Sequence, residues 1–401
     1  MADVGHFAYL PMARVHYGSG AVRELLSELK LLGANRVMLV TSPSVRRNPL
    51  VGGRVESLLG PRLVAVFDGV RPHVPYACLQ DGLEKLHATA PDVLVSLGAG
   101  SVVDAARALA LAFGEGLRDA ADLERFRAVF DPPSSTHIPP TSGRSLPLIA
   151  VPTTLSAAEF ANCGALTSET RGTKDLLIAD ELTPRVVILD ADLAVTTPIA
   201  LWSSTGLRAL DHAIETVYSP RSGPITDALS LDAIRRLSSA LRVTSTDANN
   251  ISARESAQVA AWASYFGEMN LTLGLSHAIG HQIGARHGVQ HGWTSCVILP
   301  SVMRWLAPVT AEKQAMIAAA FGVDVSHRSP EEAAEQAAQE VERLVADLAL
   351  PTSLSDIGVE PQHFAGLADV VMEDLVVAGS PRPVTHGDVV NILQSASRRA
   401  D

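Results

Sequence analysis

Three features of the sequence predict an α/β domain with a doubly wound parallel sheet, followed by an all-α domain. Short apolar, β-branched runs alternate with amphipathic stretches through the first half. The alternation stops near residue 194. The run at 94–98 meets a glycine turn and then a helical pattern. Apolar strands separated by amphipathic helices are the pattern of a parallel sheet covered on both faces. Strands are expected at "RVMLVTS" (36–42), "RLVAVFDGV" (62–70), "PDVLVSLGAG" (91–100), "PLIAVPTT" (147–154) and "RVVILDADL" (185–193). Helical spacing of apolar residues falls at 21–33 and 75–90. "DPPSSTHIPPTSGRSLP" (131–147), with five prolines, reads as an irregular loop or flap.

After residue 194 the character changes. "TTPIALWSSTGLRALDHAIETVYS" opens with Thr197 at an N-cap and Pro198 in the first turn, where a missing N–H costs nothing. Ala- and Leu-rich helical patterns then run to the end. The expected division is a dinucleotide-binding domain over 1–194 and a helical domain over 195–401, with the site in the cleft between them.

Composition narrows the classes. Of 401 residues, 47% are hydrophobic and 19% charged, which allows two domains with sizeable cores. The formal charge of −11 argues against nucleic acid, whose phosphates need a basic face. No stretch approaches the ~20 uninterrupted apolar residues of a membrane span. "MADVGHFAYLPMARVHYG" lacks the basic start and apolar centre of a signal peptide. Cys78, Cys163 and Cys296 are too scattered for a disulfide framework or a thiolate cluster, and read as buried thiols. A cytoplasmic enzyme with a small-molecule substrate fits these bounds. A homodimer is the expected assembly, closed two-fold pairs being the commonest.

Two groups of residues carry chemistry. In "LVSLGAGSVVDAARALAL" (94–111), Gly98 and Gly100 let the backbone approach a phosphate, which the free N–H groups of the following helix attract. Asp104 is expected in the first turn of that helix. Thr153 and Thr154 offer hydroxyls at a second strand end, where open α/β sheets bind ligands. In the second half, "GLRALDHAIE" (206–215) puts Arg208 and His212 a turn apart on one helix face. "SHAIGHQIGARHGVQHGWTS" (276–295) repeats the spacing with His277 and His281 and adds His291. Converging imidazoles suggest a metal, yet a guanidinium cannot ligate one.

"GAGSVVDAARALA", "IAVPTTLSAAEF", "GLRALDHAIETVYS" and "GLSHAIGHQIGARHGVQHGWTSCVILPSVM" resemble, in order and spacing, the motifs of the iron-containing (group III) alcohol dehydrogenase family. "ARVHYGSGAVRELLSEL" is similar to the family's start, so the resemblance spans nearly the whole chain. It implies the fold shared with dehydroquinate synthases and NAD(P) as cofactor. Gly98, Gly100, Ser101 and Asp104 then fall on the pyrophosphate turn, Thr153 and Thr154 on the adenine-ribose side, and Lys174 on the nicotinamide ribose.

Two departures bear on the cofactor. The family often has Gly-Ser or Gly-Thr-Gly-Ser after the paired threonines; this chain has "LSAAE" (155–159), whose Ala157 and Ala158 crowd the nicotinamide end. Many NAD-preferring members end the second strand with Asp, where this chain has Ser42. That leaves a 2′-phosphate unrepelled and Arg46 and Arg47 as its partners, so NADPH is favoured over NADH.

Metal-dependent members of the family hold a divalent ion with one Asp and three His. His212, His277 and His291 match the histidines, His281 matches a fourth that relays a proton near the substrate, and Arg208 stands at the Asp position. A fixed cation a few ångströms from a dication costs on the order of 4 kcal/mol at an effective dielectric near 20. Asp211, next to His212, reads as facing another side of the helix, an i,i+3 partner of Arg208 rather than a replacement ligand.

The resemblance therefore implies an NAD(P)H-dependent, metal-independent reductase of a small acidic carbonyl or enone, closest in pattern to maleylacetate reductases, which also lack this Asp. Arg208 would polarise the carbonyl or anchor a carboxylate. His281, with His212 or His277, would supply the proton. The alternatives are an Fe- or Zn-dependent alcohol dehydrogenase and a non-redox cyclase or lyase on the same fold. Trp293 and Phe160 are further candidates to shape the pocket.

Overall fold

The structure, a computed structural model, describes residues 6–131 and 135–397. It forms two compact units: Tyr9–Thr197, and a second from Pro198 onward that includes the chain up to Ala8.

The first unit is built on six strands: β1 (Arg14–Tyr17), β2 (Val37–Thr41), β3 (Leu63–Phe67), β4 (Val93–Gly98), β7 (Leu148–Pro152) and β10 (Val186–Leu189). Two short antiparallel hairpins, β5 (Val129–Asp131) with β6 (Ser135–His137) and β8 (Cys163–Ser168) with β9 (Thr173–Ile178), lie outside the sheet. The sheet order is β1-β10-β7-β4-β2-β3, and all neighbours are parallel. Successive side chains leave opposite faces, so each strand feeds two cores. In β2, Val37 and Leu39 join one apolar cluster, while Met38 and Val40 join the other. From β2 the chain steps outward to β3, returns to β4, and then runs on through β7 to β10. The order reverses between β2 and β4, and ligands of such sheets bind beyond the strand ends at that point.

Each of the five expected sheet strands is present in shortened form. β1 and the two hairpins were not anticipated as strands. β1 is four residues long, and only the inner positions of β8 are buried. Within 131–147, residues 135–137 pair in a hairpin and are therefore not irregular. Residues 132–134 lie outside the described residues.

Helix α1 (Gly100–Gly114) follows β4 directly. Asp104 sits beyond its first turn, one residue later than expected. The guanidinium of Arg107 is fully buried. It donates to the carbonyls of Ala158 and Ala161 at 2.7 Å each and of Leu182 at 3.1 Å, which ties the segment after β7 down against α1. A buried cation is tolerable only with its N–H groups satisfied in this way.

The second unit is helical, with α2 (Ile199–Tyr218), α3 (Pro224–Thr246), α4 (Ile251–Asn270), α5 (Leu275–His287), α6 (His291–Ala320) and α7 (Pro330–Asp347). α2 is buried around most of its circumference, as the central helix of a bundle must be. Its N-cap is Pro198, not Thr197. The Thr197 hydroxyl donates instead to the Thr153 carbonyl at 2.7 Å. Two glycines let helices approach: a Cβ on Gly280 of α5 would stand 2.8 Å from Thr294 Oγ1, and one on Gly292 of α6 would stand 2.2 Å from the Ser204 carbonyl oxygen of α2. No described helix is long and apolar enough to cross a membrane. Cys78 and Cys296 are buried free thiols as expected, whereas Cys163 is only half-buried.

Candidate active site

The predicted cofactor residues all lie in the first unit. Ser42 follows β2, Gly98 ends β4, Gly100 and Ser101 open α1, and Thr153 and Thr154 follow β7. Register brings these ends together: Gly98 pairs with Pro152, Thr41 with Leu97, and the Thr153 N–H donates to the Gly98 carbonyl at 3.0 Å. Gly98 has φ +151, and a Cβ there would meet Val102 at 2.7 Å, so the turn demands glycine. Thr154 Oγ1 and Ser156 Oγ are buried without a hydrogen-bond partner. Ser156 Oγ lies 3.1 Å from where a Gly100 Cβ would be. Donors left open beside a glycine turn and a helix N-terminus suit a pyrophosphate. Lys174 is on β9. Burial pushes the Asp104 carboxyl up, and the Arg107 and Lys174 cations oppose this, so the lysine belongs to the same neighbourhood.

The departures noted in the sequence have structural consequences. Ala157 adopts φ +57, the left-handed region that glycine enters freely and alanine does not. Glu159 is buried, with Oε2 unpartnered, and desolvation raises its pKa to about 7 against its own backbone N–H and Arg107. Arg46 is not open to a 2′-phosphate as expected: it already bonds Glu56 at 3.1 Å and Asp68 at 3.0 Å. Arg47 is exposed, and Ser42 caps the short helix Pro43–Arg47. Phe160 is buried and Trp293 half-buried.

The predicted catalytic residues all lie in the second unit, on α2, α5 and the start of α6. The His212 and His277 rings stack with centroids 4.9 Å apart. His281 meets His277 edge-on at 6.3 Å and His291 at 6.0 Å, so the four imidazoles form one chain of contacts. Arg208 is 12% exposed at its side chain, not a surface residue. Its Nη1 lies 3.4 Å from Ser295 Oγ, 3.7 Å from Asp211 Oδ2, and 3.8 Å from where a Gly280 Cβ would be. Burial, then neighbouring imidazole and the Arg208 charge, hold the pKa of His212 well below its ordinary value. For His277 burial is followed by Arg208 itself.

Asp211 keeps the i,i+3 approach to Arg208 that the spacing suggests, and the structure adds that this other helix face is fully buried beside His277: Oδ2 lies 3.7 Å from His277 Nδ1 and accepts from Ser295 Oγ at 2.6 Å and Ser276 Oγ at 3.0 Å. Glu215 is equally buried. Its Oε2 accepts from the Gly274 N–H at 2.8 Å and faces His277 Nδ1 at 2.7 Å, while Oε1 accepts from the Ser276 N–H at 2.8 Å. A carboxylate from α2 thus caps the N-terminus of α5 and orients its first histidine. Burial raises both carboxyls, and for Asp211 the Glu215 charge adds to the effect.

Among the described residues, Asp211, Glu215 and His277 form a group whose ligand atoms converge within 4.8 Å. Spacing within one helix gives no sign of this group, because Asp211 reads as a partner of Arg208 and Glu215 lies in no motif that points to α5.

Matches to known proteins cover both units. A family model for iron-containing alcohol dehydrogenase matches residues 12–191, and one for the C-terminal part of the Fe-containing alcohol dehydrogenase family matches 203–397. The chain belongs to the iron-containing alcohol dehydrogenase family.

As a member of that family it is an NAD(P)-dependent oxidoreductase. It is 31% identical to a lactaldehyde reductase of Escherichia coli (strain K12), over 95% of this chain and 97% of that one. It is 30% identical to an NAD-dependent methanol dehydrogenase of Bacillus methanolicus, over 97% and 99%. Among solved structures, a 1,3-propanediol oxidoreductase superposes with TM-score 0.89 at 28% identity, covering 98% of this chain and 100% of that one. A maleylacetate reductase from Rhizobium sp. strain MTP-10005 superposes with TM-score 0.80 at 25% identity, covering 99% of each.

Proposed function

We infer that this family member reduces a small carboxylate-bearing carbonyl or enone with NAD(P)H, and that it does so without a divalent ion. The observation that carries this reading is Arg208 Nη1, held 3.4 Å from Ser295 and 3.7 Å from Asp211 beside the imidazoles. The residues present suit a divalent ion poorly. Arg208 already presents its charge to His212 and His277, and a dication would be repelled by it. The converging group of Asp211, Glu215 and His277 is occupied by its own hydrogen bonds, since both Glu215 oxygens accept backbone donors.

The open donors Thr154 Oγ1 and Ser156 Oγ and the glycine turn at Gly98–Gly100 suit the dinucleotide. When bound, NAD(P)H supplies a hydride to an electron-poor carbon. Arg208 stabilises the oxygen that gains charge, or clamps a substrate carboxylate with two parallel hydrogen bonds. His281, whose side chain is 38% exposed, gives the proton, and the buried rings of His277 and His212 continue the chain of imidazoles behind it. Ser42 in place of an acidic residue, with exposed Arg47 close by in the sequence, favours NADPH over NADH.

The family description and the three matched histidines favour a second reading, an iron- or zinc-dependent alcohol dehydrogenase. Purified full-length protein assayed with NADPH and NADH against oxo acids, enones, simple aldehydes and alcohols separates the two. Reduction of oxo acids or enones in preference to uncharged aldehydes supports the first reading. Turnover confined to uncharged alcohols and aldehydes overturns it.

A further inference from the structure

His281 has a carboxylate behind it that no sequence motif brought to notice. Its Nδ1 lies 3.4 Å from Oδ2 of Asp374, ninety-three positions away, and the Asp374 side chain is 11% exposed. Asp374 is itself held on both oxygens. Oδ1 caps the short helix Leu375–Gly379 through the Val376 N–H at 3.0 Å, and Oδ2 also accepts from Gln282 Nε2 at 3.0 Å. The carboxylate therefore cannot swing away without losing a cap and a side-chain bond. Burial opposes its ionisation, but the donors from His281, Val376 and Gln282 outweigh burial and hold the carboxyl below its ordinary value.

A carboxylate is an acceptor only, so the nitrogen that faces it must carry a proton. In a neutral ring this leaves the lone pair on Nε2, on the side away from Asp374. We propose that Asp374 is a positioning residue for the reduction: it fixes His281 as the Nδ1–H tautomer and sets the ring so that Nε2 takes up a proton from solvent and the resulting imidazolium passes that proton to the substrate oxygen, returning to the neutral ring. The arrangement resembles that of Glu215 and His277, where a buried carboxylate on another segment holds Nδ1 at 2.7 Å. Each of the two active-site histidines on α5 is thus oriented from behind by an acidic residue outside its helix. An unsupported imidazole would populate both tautomers and several ring settings, and only one of them presents a usable nitrogen.

The catalytic part of this proposal rests on His281 being the proton donor, so the test has two arms. In the first, nitrogen-15 spectra of full-length protein labelled at histidine are recorded at pH 9, with His281 assigned by comparison with His281→Gln. The wild type is expected to show Nδ1–H. Asp374→Ser, which keeps a capping oxygen for Val376 but is too short to reach the ring, is expected to shift the population towards Nε2–H. A wild-type ring already protonated on Nε2, or no change in Asp374→Ser, overturns the proposal.

In the second arm, turnover of succinic semialdehyde with NADPH is expected to lose kcat about 10–100-fold in Asp374→Ser, with KM changed less than about threefold. Asp374→Asn, which retains an acceptor oxygen, is expected to recover most of that loss. Equal kcat in all three proteins overturns the positioning role. If the tautomer shifts but His281→Gln keeps wild-type turnover, the coupling to Asp374 stands and the proton-donor reading of His281 falls.

Discussion

Arg208 and Asp211 lie one turn apart on α2 with Nη1 and Oδ2 separated by 3.7 Å, and both side chains are largely removed from solvent. The pair is too long for a tight bidentate bridge. Asp211 accepts its short hydrogen bonds from the Ser276 and Ser295 hydroxyls instead, which leaves the guanidinium donors available. A buried cation with a loosely held counter-charge is suited to receive a second anion, which is the role assigned here to the substrate's oxygen or carboxylate.

Replacing the cation tests that role directly. Arg208→Gln is expected to lower kcat/KM for oxo acids by about 100-fold or more, equivalent to roughly 3 kcal/mol, the scale seen when one oxyanion donor is removed. Arg208→Asp is expected to lose the same turnover and to gain about one zinc or iron per chain, because a carboxylate then joins the three imidazoles. Steady-state kinetics and elemental analysis of both variants check this. Retained turnover in Arg208→Gln would count against the assignment.

Glu159 makes a prediction about pH. Its folded pKa of about 7 exceeds the ordinary 4.5, so the folded state holds a proton that the unfolded chain has released. Stability from this group is complete below about pH 4.5 and is lost as pH rises through 7. Glu159→Gln is therefore expected to change little at pH 5 and to gain on the order of 1–3 kcal/mol over the wild type at pH 8. Urea unfolding at both pH values measures it. An equal effect at the two would contradict the assigned cause.

Ala157 holds a left-handed backbone conformation at φ +57 without the freedom of glycine. Ala157→Gly removes the steric cost at Cβ but adds freedom to the unfolded chain. A net gain of about 0.5–1 kcal/mol is expected. A fall in thermal midpoint would show that the Ala157 methyl contributes more by packing than its backbone costs.

The sheet was legible in the sequence because its strands are buried on both faces, which turns them into unbroken apolar runs such as "VMLVT". β1 was not, since four partly exposed residues with an arginine and a histidine make no apolar run. The hairpin β8–β9 was missed for a related reason, because its burial alternates and its exposed face is polar.

In the site, the histidines and Arg208 were found through helical spacing, which fixes what shares a face within one helix. Spacing is silent about what other helices bring. Glu215 reaches the N-terminus of α5 and Asp374 reaches His281 across tens of residues, and neither contact has a local signature. For Asp211, spacing gives the different helix face and the approach to Arg208, but not that α5 and α6 supply Ser276 and Ser295 to receive it. Arg46 looks open in the sequence because its partners, Glu56 and Asp68, are not its neighbours in the chain.

In the function proposed above, the Arg208 guanidinium does the electrostatic work that a bound metal ion would otherwise do. The most direct measurement is the metal content and activity of wild-type protein produced in medium supplied with iron and zinc, before and after prolonged chelation. Well under one ion per chain is expected, with a reduction rate that chelation leaves unchanged. One tightly held ion per chain, with activity lost on its removal and restored by its return, would contradict it.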